Sequence, residues 1–176
     1  MKEPPLFDRL FDIILGIEIC IQTNLQLPAL ILIYTGIDAV AWLAAEDEKS
    51  NVRARFQDWV DTWLFTAKRL PCSSVDLYGA RCAILHTLTL DSDLSRDGKA
   101  RQIVYSYGDY SQKNFQEYLD KLDASQFVPL AINDLYEAFK LGLANFLESA
   151  TKDKSRMEKI QHKAKRYFSN VLVVDL

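Results

Sequence analysis

Residues 27 to 45, LPALILIYTGIDAVAWLAA, are apolar on every side of a helix, and Asp38 is the only formal charge among them. A helix of this kind has no face to give to water, so other elements or lipid must surround it. The stretch approaches the roughly 20 apolar residues that span a bilayer. A carboxylate in hydrocarbon is costly, however, and Tyr34 and Thr35 add further polar groups. The stretch is therefore expected to be the buried centre of a helical bundle, with no membrane partner.

The rest of the chain supplies elements to surround it. Pro4 and Pro5 stand where a first helical turn tolerates proline, and Leu6, Leu10, Ile13, Ile14, Ile17 and Ile21 follow at helical spacing, predicting a helix to about Asn24. Pro28 is expected to open the central helix, which ends in the charged segment AEDEKS. Asn51 is a candidate cap for a third helix with Phe56, Trp59, Val60, Trp63 and Leu64 as its apolar stripe, broken by KRLPCSS. Ser73 or Ser74 can cap a fourth, with Asp76 in its first turn and an end near Thr89. LDSDLSRDGKA reads as an exposed loop and RQIVYSYGDY as a short strand. Helices are expected over about 111 to 123, 129 to 148 and 152 to 169. The fold class is thus mainly all-α, with a short two-stranded β element pairing about 102 to 107 with 171 to 175.

At 176 residues, with nearly half apolar, the chain can bury one core, and no linker or repeat divides it, so residues 1 to 176 are read as one domain. Its 21 basic and 24 acidic residues leave a net charge of -3, so an anionic partner must be met by a local patch. Cys20, Cys72 and Cys82 form no Cys-x-x-Cys unit, which fits a reducing, cytoplasmic setting. His86 and His162 are far apart in the chain, and no paired ligand spacing suggests a metal. No glycine-rich phosphate loop or nucleophile elbow is present, so no cofactor is expected.

Chemistry is concentrated in DLYGARCAILHTLT, where Arg81 is a permanent cation and His86 can exchange a proton near neutral pH. Five residues on a helix amount to about 140° of rotation and about 7.5 Å of rise, so the two are expected to flank a ridge. One helix would not close a site with them. Two copies crossing about a two-fold axis would place two arginines and two histidines in one cleft. Metal-free cleavage of RNA needs a base, an acid and a cation for the developing phosphoryl charge, roles open to His86 and Arg81. The bland alternative is that Arg81 pairs with Asp76 or Asp38 while His86 is a satisfied residue near a helix C-terminus.

The string Arg81-Cys82-Ala83-Ile84-Leu85-His86 resembles the Arg, four to six residues, His signature of the HEPN superfamily, and it lies late in a predicted helical bundle, as in that family. The resemblance implies a HEPN-like bundle working as a homodimer with motif helices facing one another. It further implies a metal-independent endoribonuclease of toxin–antitoxin or defence type, cleaving RNA by 2′-hydroxyl attack, with an antitoxin protein as a candidate partner. The position after the arginine, polar in that family, is Cys82 here, which leaves open a non-catalytic dimerisation module. A small-molecule or nucleotide sensor is a third reading.

Three supporting expectations complete the site. Asp38 needs a partner inside an apolar helix, and Arg81 is the preferred one, with the Tyr78 hydroxyl as the alternative. Arg96, Lys99 and Arg101 with Tyr105 make a candidate RNA-binding platform, against the alternative that these charges offset Asp91, Asp93 and Asp97. The basic final helix could guide an RNA backbone or simply be an exposed face.

Overall fold

The computed structural model describes residues 6–46, 50–108, 117, 120–121 and 123–167. Helix α1 covers Leu6–Gln22 and closes on Asn24, whose φ of 59° is tolerated by asparagine. The Leu25 N–H bonds back to the Cys20 carbonyl at 2.7 Å, which satisfies one of the end carbonyls. Helix α2, Gln26–Ala44, begins two residues before Pro28, so the proline sits in the first turn, where an absent N–H costs nothing.

As its all-round apolar sequence demands, α2 is the hub. It packs against α1, against α3 (Val52–Trp59), and against three later helices introduced below. Ile33, Tyr34, Ile37 and Val40 are fully buried in one core with Ile17, Phe56, Leu77 and Phe139. By length and composition α2 could cross a membrane, but half of its apolar window is buried inside the bundle.

Asn51 caps α3 as expected, its Oδ1 accepting the Ala54 N–H at 2.8 Å. The helix then widens into a π turn, Val60–Leu64, and ends in the short α4, Phe65–Ala67. Ser73 caps α5, Ser74–Thr87, in a reciprocal capping box with Asp76. The segment expected to be an irregular loop contains one helical turn, α6, Asp93–Arg96, held by a second box between Ser92 and Ser95.

The strand expected near 102 is β1, Gln102–Ser106, and it pairs in parallel with β2, Phe127–Ala131. The expected partner, 171 to 175, lies outside the described residues, as does most of the helix expected over 111 to 123. The helix expected from Pro129 starts instead at Ile132, giving α7, Ile132–Thr151. Proline biases the residue before it toward extended backbone, and Val128 and Leu130 alternate into the core beside Ile103. Strand thereby prevails over helix at these residues.

Helix α8, Lys154–Tyr167, completes the described chain, and with α5 and α7 it closes the shell around α2. It is not wholly an exposed basic face. Lys163 is buried, lies over the Trp42 ring, and donates to the carbonyls of Trp42 and Ala45, so it neutralises the C-terminus of α2.

At Gly142, α7 comes close to the backbone of the π turn. A Cβ on Gly142 would lie 3.0 Å from Leu64 Cα and 3.1 Å from Leu64 N. Alanine normally favours a helix interior over glycine by about 1 kcal/mol, but backbone on the facing side cannot rotate away as a side chain can. Gly142→Ala is therefore expected to destabilise the fold by about 1 kcal/mol or more, the overpacking cost exceeding the propensity gain. Urea denaturation measures the sign.

Candidate functional site

Asp38 leaves α2 toward α5, where the Arg81 guanidinium receives it. Arg81 Nε donates to Asp38 Oδ2 at 2.8 Å, and Nη2 stands 2.6 Å from the same oxygen. The two side chains are only 15% and 21% exposed, so solvent screens their attraction weakly. The second oxygen, Oδ1, is buried without a hydrogen-bond donor. Burial pushes the Asp38 carboxyl above its ordinary range, and the Arg81 contacts only partly offset this. Arg81 itself is raised: burial opposes its charge, but the bond and field of Asp38 outweigh that.

With two nitrogens engaged by Asp38, the third points along α5. Arg81 Nη1 lies 3.1 Å from His86 Nε2. The helical angle has the pair flanking a ridge, yet their side-chain ends meet. Side chains on a helix lean toward its N-terminus, so His86 leans back one turn, and the long arginine spans the remaining gap. Since guanidinium only donates, Nε2 must carry its lone pair in this contact.

His86 stands exposed at the end of α5, which closes on Leu88 in the left-handed region, at φ 54°. Leu88 and Leu90 beside it are 60% and 53% exposed. Cys82 Sγ is 4.0 Å from Arg81 Nη1, a long contact to a weak acceptor. The Tyr78 ring lies beneath the Arg81 guanidinium, whose Cζ is 5.9 Å from its centroid, and meets Phe56 edge-on at 5.5 Å. Asp38 is thus bonded to Arg81, and Tyr78 supports the arginine through its face.

Two residues of this neighbourhood carried no sequence signal beyond their position behind the Asn51 cap. Arg53 Cζ lies 6.0 Å from the Tyr78 centroid, and Arg55 lies within electrostatic reach of Asp38 while donating to the Ser50 carbonyl.

The expected RNA-binding platform is arranged differently. Arg101 is drawn inward: its Nη2 and backbone N–H both lie 2.7 Å from the Asp76 carboxylate, which also accepts the Ser73 N–H at 2.9 Å. Arg96 contacts Asp91 and Asp93, and Lys99 contacts Asp97 at 2.8 Å, so these charges offset the loop's own carboxylates. Tyr105 is half-buried and packs against the core rather than offering an open stacking face. Its hydroxyl bonds that of Tyr34, and burial raises it far above the usual tyrosine range. Its neighbour Tyr107 is the exposed aromatic.

Among the described residues no cluster of three or more His, Cys or carboxylate side chains could hold a metal ion. An apolar groove of about 420 Å³ lies between α1 and α7, with Lys140 as its one charged lining residue. Comparison of the chain with protein-family models, with curated proteins and with solved structures gives no match.

Removing one member of the Asp38–Arg81 pair leaves a partly buried charge uncompensated. Asp38→Ala is expected to cost about 2 kcal/mol, less than a fully buried pair because both groups retain some exposure. A double-mutant cycle with Arg81→Ala in urea should show coupling above about 1 kcal/mol; additive effects would deny the interaction.

Asp76 supplies a pH test. Burial raises its carboxyl, but bonds from Ser73 and Arg101 outweigh that and leave it below 3.8. The folded state therefore holds this proton less readily than the unfolded state. Its stabilisation is present above the unfolded value of about 3.9 and is lost as pH falls through the folded one. Wild type should lose stability more steeply below about pH 4 than Asp76→Asn, as read by thermal melting across pH.

Proposed function

We propose that this protein is a HEPN-like, metal-independent endoribonuclease in which α5 helices of two copies face one another and share one cleft. The observation that carries the reading is the 3.1 Å contact between Arg81 Nη1 and His86 Nε2 at the exposed end of α5, with Asp38 holding the guanidinium from behind. A guanidinium has five N–H groups. Asp38 and His86 engage three of them and the long contact to Cys82 Sγ a fourth, so one N–H remains unengaged, and those on His86 and Cys82 are held only by weak acceptors that a phosphoryl oxygen can displace.

The same contact suggests how substrate sets the chemistry in motion. A phosphate that draws Nη1 onto its own oxygen releases the lone pair of His86 Nε2. That nitrogen takes the proton of the 2′-hydroxyl, and the freed oxygen attacks the adjacent phosphorus. The bond to the 5′-oxygen breaks, and a protonated His86 of the partner subunit returns a proton to it. The products are a 2′,3′-cyclic phosphate and a 5′-hydroxyl. Arg81 offsets charge on the phosphoryl oxygens, where a fixed donor acts most strongly. Exposed Leu88 and Leu90 beside His86 supply apolar area for the second copy.

The non-catalytic reading uses the same leucines to seat a second copy, with the polar pair only fixing register. The two readings part on activity. In EDTA, the purified protein should cleave mixed RNA and leave cyclic phosphate ends. His86→Ala should lower the rate by about 10²–10⁴ and Arg81→Ala by about 10²–10³. Cleavage no greater than that of His86→Ala would rule out the enzyme. A monomer throughout the micromolar range would remove the shared cleft.

A further inference from the structure

Arg53 and Arg55 are delivered to the site by the core. Successive helical residues are turned by about 100°, so the two arginines stand on either side of Phe56, one residue and three residues away. Phe56 is fully buried, stacked with Tyr34 at 6.5 Å and meeting Tyr78 edge-on. The hydrophobic anchoring of that ring, with the Asn51 cap behind it, sets where the flanking guanidiniums emerge.

They emerge beside Arg81. Arg53 and Arg81 each lie about 6 Å from the centre of the same Tyr78 ring. Arg55 sends its field to Asp38, the carboxylate that holds Arg81. Among the described residues Arg81 has Asp38 as ion-pair partner, whereas Arg53 and Arg55 pair with no carboxylate. Asp58 on the same helix is exposed. Among the described residues, three arginines gather here with one ion-paired carboxylate, a local excess of positive charge in a chain whose net charge is -3. Like charges gathered in this way repel unless an anion lies among them, and guanidinium groups suit phosphate oxygens in both charge and fork geometry.

We infer that Arg53 and Arg55 form the backbone-binding half of the site, engaging phosphates of single-stranded RNA on either side of the one that Arg81 meets. The inference rests on the ribonuclease reading of Arg81 and His86 for the choice of RNA. It makes α3, rather than the loop after α5, the surface along which the strand lies. Both arginines act on binding and register, and neither exchanges a proton with substrate.

The test measures binding of a fluorescein-labelled 2′-O-methyl oligoribonucleotide, which lacks the attacking hydroxyl, so binding is scored apart from cleavage. Each single-strand phosphate contact contributes about 0.7 to the slope of log K against log salt concentration. Arg53→Gln and Arg55→Gln should each lower that slope by about 0.7, and the double variant by about 1.4. Arg53→Lys with Arg55→Lys should retain it, because charge is kept. Matched melting temperatures establish that the variants are folded, and the single variants serve where the double one melts early. An unchanged slope in the glutamine variants, or no binding by wild type at low salt, overturns the inference. Arginine-dependent binding without any cleavage of unmodified RNA overturns the ribonuclease reading alone.

Discussion

A helix that is apolar all round yet carries one carboxylate sets the terms for everything near it. If α2 is surrounded, Asp38 must be surrounded too, and an isolated carboxylate in such a place is too costly to keep ionised. Arg81 resolves this by placing two nitrogens on one oxygen, and the resolution is partial, since the other oxygen remains without a donor. Burial keeps the carboxyl raised, and the arginine only partly offsets it. What the pair secures is geometry: a guanidinium gripped on one edge can present only its other edge, and that edge faces His86.

The grip would mean little if α5 could rotate, and its opposite end is tied as firmly. Asp76 closes the capping box with Ser73 and also receives the Arg101 backbone and side chain from the start of β1. One carboxylate thus joins the first turn of a helix to the first residue before a strand. Because Asp76 is almost wholly buried, these bonds exchange little with water, unlike the exposed Arg96 and Lys99 pairs nearby. Helix α5 is held at its N-terminus by Asp76, at its middle by Asp38 and along its length by Leu77 and Ile84 in the core.

Features governed by local chemistry could be read in the sequence: the all-round apolar α2, the caps at Asn51 and Ser73, the strand near 102, and Asp38 as a charge in need of Arg81. Features decided by a distant partner could not. Phe127–Ala131 carries a proline that opens helices as readily as it edges strands, and only pairing with β1 settles which. The π turn at Val60–Leu64 depends on the bare backbone of Gly142 across the bundle. Lys163 looks like one more surface lysine until the end of α2 arrives beneath it. The Arg81–His86 contact was hidden for a different reason: helical angles locate Cα atoms, whereas contact is made by side-chain ends that reach several ångströms beyond them.

Local charge, more than net charge, then separates surfaces that hold themselves together from a surface that can hold something else. Arg96, Lys99 and Arg101 sit on Asp91, Asp93, Asp97 and Asp76, and Lys68 and Lys152 likewise lie on neighbouring acids. An incoming phosphate must compete with those carboxylates and gains only the difference. At Arg81 the competition is of another kind, because its Nη1 is held by the neutral nitrogen of His86, a weaker claim on a cation than a carboxylate makes. In the proposed ribonuclease, a phosphate would displace that nitrogen more readily than it would displace an acid, leaving the imidazole lone pair unoccupied beside the bound RNA. Under that reading, binding and the freeing of a base would be one event at this end of α5, a coupling that follows from which partner each arginine nitrogen has.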